Sequence, residues 1–109
     1  MSDTNQLLEK LTSGLRTIYG KDLNRIVLYG SVARGTQTEE TDIDIAVIIH
    51  QDAGEKHDRM IDLTVDLELE YDVVLSVLII EYKNFKEWEN VLPFYINVKK
   101  EGVTLWNAS

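Results

Sequence analysis

Three short runs dense in isoleucine, valine and leucine, at 25–29, 42–49 and 71–80, alternate with stretches of helical periodicity. That alternation limits what the chain can fold into more than any other feature. Such runs, bounded by glycine or by polar turns, have the length of strands and the β-branched character that strands favour. Before them, Leu7, Leu8, Leu11, Leu15 and Ile18 recur at helical spacing, with Asp3 or Thr4 as cap and Gly20 as stop. Thr36 to Thr41 is polar and turn-like. Between the second and third runs, Ala53 to about Glu68 places Met60, Ile61, Leu63 and Leu67 on one helical stripe. After Asn84 come a short aromatic helix (Phe85, Trp88, Val91, Leu92), then Pro93, then a last segment ending at Trp106. Helix–strand–strand–helix–strand–helix predicts an α/β (α+β) fold, a small sheet flanked by helices. At 109 residues there is room for one core, and residues 1–109 read as a single domain.

Composition removes several classes of function. The chain has no cysteine, so disulfides, thiolate metal sites and cysteine nucleophiles are out. Nineteen acidic residues against eleven basic give a net charge of -8, which repels a phosphate backbone and disfavours broad binding to RNA or DNA. The same charge suits a basic protein partner, or merely keeps a small domain in solution. The segment from Met1 to Gln6 lacks the basic-then-apolar order of a signal peptide, and the longest apolar run, Val73 to Ile80, is interrupted by Ser76. The expectation is a cytoplasmic protein without a membrane segment.

The chemistry is concentrated in Leu28-Tyr29-Gly30-Ser31-Val32-Ala33-Arg34-Gly35 and Thr41-Asp42-Ile43-Asp44. Gly30 directly after a strand permits a sharp turn and close approach by a ligand. Ser31 can cap a short helix through Arg34, whose unpaired amides would suit phosphate, with the Ser31 hydroxyl and Arg34 as further donors. Asp42 and Asp44, two apart on a strand, project to one side. Paired carboxylates repel unless a cation lies between them, and an all-oxygen set favours Mg²⁺ or Mn²⁺ over zinc. A third carboxylate from a neighbouring strand would complete a site for two ions, roughly 3.5–4 Å apart. Asp72, at the head of the third run, is the first choice, and Glu70 on the same strand face is the fallback. Asp72 would then help accept the proton of the acceptor.

Each piece alone is ordinary: a Gly-Ser pair is usually a turn, and Asp-x-Asp is often a solvated strand end. Their conjunction, with ten residues between them, resembles the signature of the polymerase β-like nucleotidyltransferase superfamily. Gly30-Ser31-Val32-Ala33-Arg34-Gly35 is similar to its minimal nucleotidyltransferase branch, as is the ending Glu101-Gly102-Val103 before Leu105-Trp106. Thr41 stands where serine is commoner. The resemblance implies a palm-like mixed sheet flanked by helices, Asp42 and Asp44 as metal ligands, and Gly30 and Ser31 holding the triphosphate of ATP or another NTP. It also implies a HEPN-type ribonuclease toxin as partner, neutralised by AMP placed on one of its tyrosines.

A non-catalytic antitoxin that covers its partner is the competing expectation. Larger relatives enclose the base with a second domain for which this chain has no residues, so a partner or a second copy is expected to complete the site. His50 and His57 around a polar loop read as solvated rather than as metal ligands. The acidic run Asp62, Asp66, Glu68 and Glu70 reads as the wet side of a helix entering a strand. Phe85, Trp88, Phe94, Tyr95 and Trp106 read mostly as core and lid, with Trp88 the one expected to be exposed.

Overall fold

The computed structural model describes residues 3–29, 42–51 and 54–108. Helix α1 spans Asp3–Tyr19. It presents Leu7, Leu11, Leu15 and Ile18 as one buried stripe. Gly20 ends it at φ +52, a left-handed conformation that costs glycine nothing, and a single 3-10 turn (Gly20–Asp22) leads into strand β1 (Leu23–Tyr29). Strand β2 (Ile43–Ile49) is followed by helix α2 (Gly54–Tyr71) and strand β3 (Leu75–Glu81). Helices α3 (Tyr82–Trp88) and α4 (Pro93–Glu101) precede strand β4 (Val103–Asn107).

The four strands form one mixed sheet in the order β3-β2-β1-β4. β1 is antiparallel to both β2 and β4, whereas β2 and β3 run parallel, as the helical crossover through α2 requires. β2 is central and the most buried strand, which is why its sequence is almost continuously apolar. Alternation sorts its side chains to two cores. Ile43, Ile45, Val47 and Ile49 join Leu7, Leu11 and Leu15 of α1 and Met60 and Leu67 of α2. Ala46 and Ile48 face the other way, into a smaller cluster with Val27, Ile80, Phe85 of α3 and Val98 of α4. Each fully buried aliphatic side chain contributes roughly 1.5–3 kcal/mol.

Two expectations need correction. The third strand begins at Leu75, not Tyr71, because α2 continues through Tyr71. Lys10 of α1 holds that last turn, pairing with Glu70 at 2.6 Å and lying over the Tyr71 ring at 5.2 Å. Glu70 is therefore on a helix and not on a strand face. The second correction is β4, a strand that the polar residues around Leu105 and Trp106 conceal in the sequence. Among the described residues, no helix is long and apolar enough to cross a membrane.

Candidate active site

Asp44 is the second residue of β2, and its orientation follows from the strand's alternation. Ile43 and Ile45 on either side of it are buried against α1 and α2, so Asp44 faces the side of Ala46 and Ile48. Among the described residues, α3 and α4 cover that side most fully toward its far end, and Asp44 is half-buried. Asp42, exposed, directly precedes the strand, and pairing persists to its border: the Ile43 N–H donates to the Val74 carbonyl at 3.0 Å.

Sheet register determines the neighbours of Asp44. On β1 its partner is Tyr29, and on β3 it is Ser76. Residues opposite one another in a sheet point to the same side, so the phenol, the carboxylate and the serine hydroxyl form a row across three strands. Burial, and after it the negative charge of Asp44, raises the Tyr29 phenol above its usual pKa of 10.0. The Tyr29 ring meets Phe94 of α4 edge to face at 5.4 Å, and Phe94, Tyr95 and Phe85 continue that contact into the smaller core. Tyr29 is also the last residue of β1, so the chain leaves that strand beside Asp44 on its way to Gly30 and Ser31. Gly30, Ser31 and Arg34, together with the expected short helix and the turn through Thr41, lie outside the described residues.

Asp72 lies in the turn between α2 and β3, exposed, at φ +54. Aspartate tolerates this left-handed conformation better than most residues, which suits it to a helix-to-strand turn. The turn is closed by the Leu75 N–H donating to the Glu68 carboxylate at 2.9 Å. Because β2 and β3 are parallel, Asp42 and Asp72 both lie where their strands begin, at the same end of the sheet. Glu70, engaged with Lys10, belongs to the layer on the opposite side of the sheet from Asp44. Ser76 is the residue that sequence reading missed. Its signal was present, as the one polar side chain between Val73 and Ile80, but without the register it reads only as an interruption.

Among the described residues, no group of three or more histidine, aspartate or glutamate side chains is arranged to hold a metal ion. Asp42 and Asp44 remain as a pair of hard oxygen donors. Such a pair fits a hard divalent cation whose remaining positions are filled by phosphate oxygens and water. His50 rests against the Tyr82 ring at 4.8 Å, away from this row.

The nucleotidyltransferase domain family matches residues 8–104 of the chain. A Methanocaldococcus jannaschii protein, provisionally named a protein adenylyltransferase, is 34% identical over 91% of this chain and 94% of its own length. A second protein of that organism with the same provisional name is 28% identical over 68% of this chain and 76% of its own. Among solved structures, a toxin–antitoxin chain crystallised with AMP-PNP has a TM-score of 0.63 at 22% identity. The match covers 94% of this chain and 74% of that one. A complex of a tri-AMPylated HEPN toxin with its MNT antitoxin from Shewanella oneidensis gives a TM-score of 0.56 at 22% identity, covering 95% of this chain and 72% of that one. These likenesses establish the nucleotidyltransferase fold, a mixed sheet flanked by helices. With a family match over nearly its whole length and the strand order that carries the motif, the chain belongs to the nucleotidyltransferase domain family.

Proposed function

We propose that this protein transfers AMP from ATP to a hydroxyl group of a partner protein, a tyrosine of a HEPN-type toxin, and thereby acts as an antitoxin. One observation carries the reading: Asp44 is paired across the sheet with Tyr29, at the end of the strand that leads into Gly30-Ser31. The names of the relatives and the assemblies in which the structural neighbours were crystallised support the choice of acceptor.

In this reading Asp42 and Asp44 hold Mg²⁺, with Mn²⁺ an alternative, and the triphosphate completes the coordination. Two ions are expected. Bound there, the metal supplies neutralisation of the charge that builds on the transferring phosphate. Gly30, Ser31 and Arg34 grip the outer phosphates and leave the α-phosphate toward Asp44. The acceptor oxygen bonds to the α-phosphorus, the bond to the bridging oxygen of the β-phosphate breaks, and pyrophosphate leaves. The proton of the acceptor passes to Asp72, from the end of the sheet where β2 and β3 begin. The acceptor protein, or a second copy of this chain, supplies the surface that larger transferases build from a second domain.

The test is incubation with α-labelled ATP and Mg²⁺, with and without the product of the neighbouring gene. Label is expected on a tyrosine of the partner, and Asp42→Asn or Asp44→Asn is expected to remove it. If the double asparagine variant neutralised the partner as well as wild type does, transfer would not be the mechanism and simple occlusion would be.

A further inference from the structure

Among the described residues, the far edge of the sheet, away from β4, is formed by β3, which pairs only with β2. Natural edge strands carry devices against unwanted pairing: lysine, proline, a bulge or shortness. β3 has none of these. It runs seven residues, Leu-Ser-Val-Leu-Ile-Ile-Glu, without a charge before Glu81, and its register with β2 is unbroken. Beside that edge, Ile61 and Val65 of α2 are 44% exposed and Leu78 of β3 is 42% exposed. With Thr64, Val77 and Ile79 they border an open groove of about 480 Å³. A contiguous apolar groove along an unprotected strand edge marks a binding surface.

Charge identifies the occupant. α2 carries six acidic residues against two basic ones, a net -4 out of the chain's -8. Asp58, Asp62 and Asp66 follow one another at i, i+4 spacing on the outer side of the helix, next to the stripe of Ile61 and Val65. Among the described residues, none of these three carboxylates is held in an ion pair. A second copy of this chain, paired edge to edge, would bring an identical acidic stripe against this one. Repulsion argues against that, and complementarity argues for a cationic partner.

We propose that the β3 edge and the α2 groove bind an extended, basic segment of the acceptor protein, which adds to the sheet as a fifth strand. Main-chain hydrogen bonds to β3 supply the affinity, and the alternate side chains that face α2 include both apolar residues, which enter the groove, and lysine or arginine, which meets Asp58, Asp62 and Asp66. The arrangement also serves the transfer reaction. An added strand lies about 10 Å from β2, two strand spacings away. Every second side chain of it points to the side of Ser76 and Asp44. A chain of this size thus gains an acceptor site from backbone pairing alone. This consequence rests on the transferase reading; the docking surface does not.

The probe is the blocked octapeptide Lys-Thr-Val-Thr-Lys-Thr-Val-Thr, whose lysines and valines share one side of a strand, with the same peptide carrying glutamate for lysine as its control. Amide resonances of the intact protein are followed at low salt, with affinity from fluorescence anisotropy. The lysine peptide is expected to shift and protect the amides of Leu75–Glu81 and to move Ile61 and Val65, whereas the glutamate peptide leaves them unchanged. Ile61→Lys/Val65→Lys should weaken binding at least about tenfold, and Asp58→Lys/Asp62→Lys, which leaves the apolar contacts intact, should do so by a similar factor. Shifts elsewhere, equal binding of both peptides, or a dimer joined through β3 would each overturn the proposal. Asp44→Asn separates the two readings. A protein that binds the peptide but never labels a partner contradicts only the transferase reading. One that labels its partner undiminished with the Ile61→Lys/Val65→Lys pair contradicts only this one.

Discussion

The two faces of the sheet are built from the same strands and have opposite fates. On one, Ile43, Ile45, Val47 and Ile49 are closed beneath α1 and α2, and no polar side chain interrupts the cluster. On the other, among the described residues, Val27, Ala46, Ile48 and Ile80 are covered by Phe85 and Val98 at one end, while Tyr29, against which Phe94 packs, stands in a row with Asp44 and Ser76 at the other. The closed face can be satisfied by volume and apolarity alone, which many side chains provide. The open face spends part of the same strands on groups that a stable sheet does not need. That division teaches where the cost of function is carried: half of one face, in residues that alternate with the core of the other.

The sharpest way to break the comparison is to change adjacent residues of β2 that face opposite ways. Asp44→Asn is expected to lower adenylyl transfer on the order of a thousandfold, since several kcal/mol of charge stabilisation would be lost. Its thermal midpoint should change far less than that of a core truncation, because asparagine keeps the size of aspartate and opens no cavity. Ile45→Ala, one residue along and fully buried, should do the reverse. It is expected to cost about 2–5 kcal/mol in denaturant unfolding and leave the rate of the molecules still folded nearly unchanged. If both substitutions cost stability alike, the division between the faces is wrong.

Gly102 sharpens the picture at the seam where α4 returns to the sheet as β4. A β-carbon there would stand 2.3 Å from Cγ1 of Val27 and 2.4 Å from the carbonyl oxygen of Val98. The backbone carbonyl cannot swing aside as a side chain can. Gly102→Ala is expected to destabilise by about 1–3 kcal/mol in urea titration. Gly14, whose added carbon would meet only the flexible end of Leu63, should respond far less.

What was legible in the sequence follows the same division. Periodicity exposed α1, α2 and the central strand because each buries a continuous stripe or run, and burial is what hydrophobic patterning records. The end of α2 was not legible. Tyr71-Asp72-Val73 reads as the opening of a strand, whereas the helix runs on through Tyr71, which packs against the main core and under Lys10. Contacts between residues sixty apart leave no local pattern. Asp44 could be singled out because it forms an Asp-x-Asp pair with Asp42, ten residues after Gly30-Ser31, at the head of an apolar run. Ser76 could not, because its meaning lies in the parallel register with β2, which is set by the whole crossover.

The smallest effect tests the end of the open face that is covered. Glu89, at 8% exposure the one charged residue buried among those described, bridges Lys86 of α3 at 2.8 Å and Lys99 of α4 at 3.2 Å. Hydrogen bonds from Lys86 first and Lys99 next hold its carboxyl below the usual value of 4.5. A carboxylate lowered on folding binds fewer protons in the native state than in the unfolded one. Its contribution is therefore complete above pH 4.5 and is lost as pH falls below that value and through the lowered one. Glu89→Gln should flatten this part of the acid limb, with little change at neutral pH, because partly exposed lysines are screened by water. Thermal melts from pH 3 to pH 7 would show it. The closed face has no such group, so Ile45→Ala should lower the whole curve without changing its slope in acid. An equal loss of slope in both variants would mean that α3 and α4 are not held to each other through this bridge.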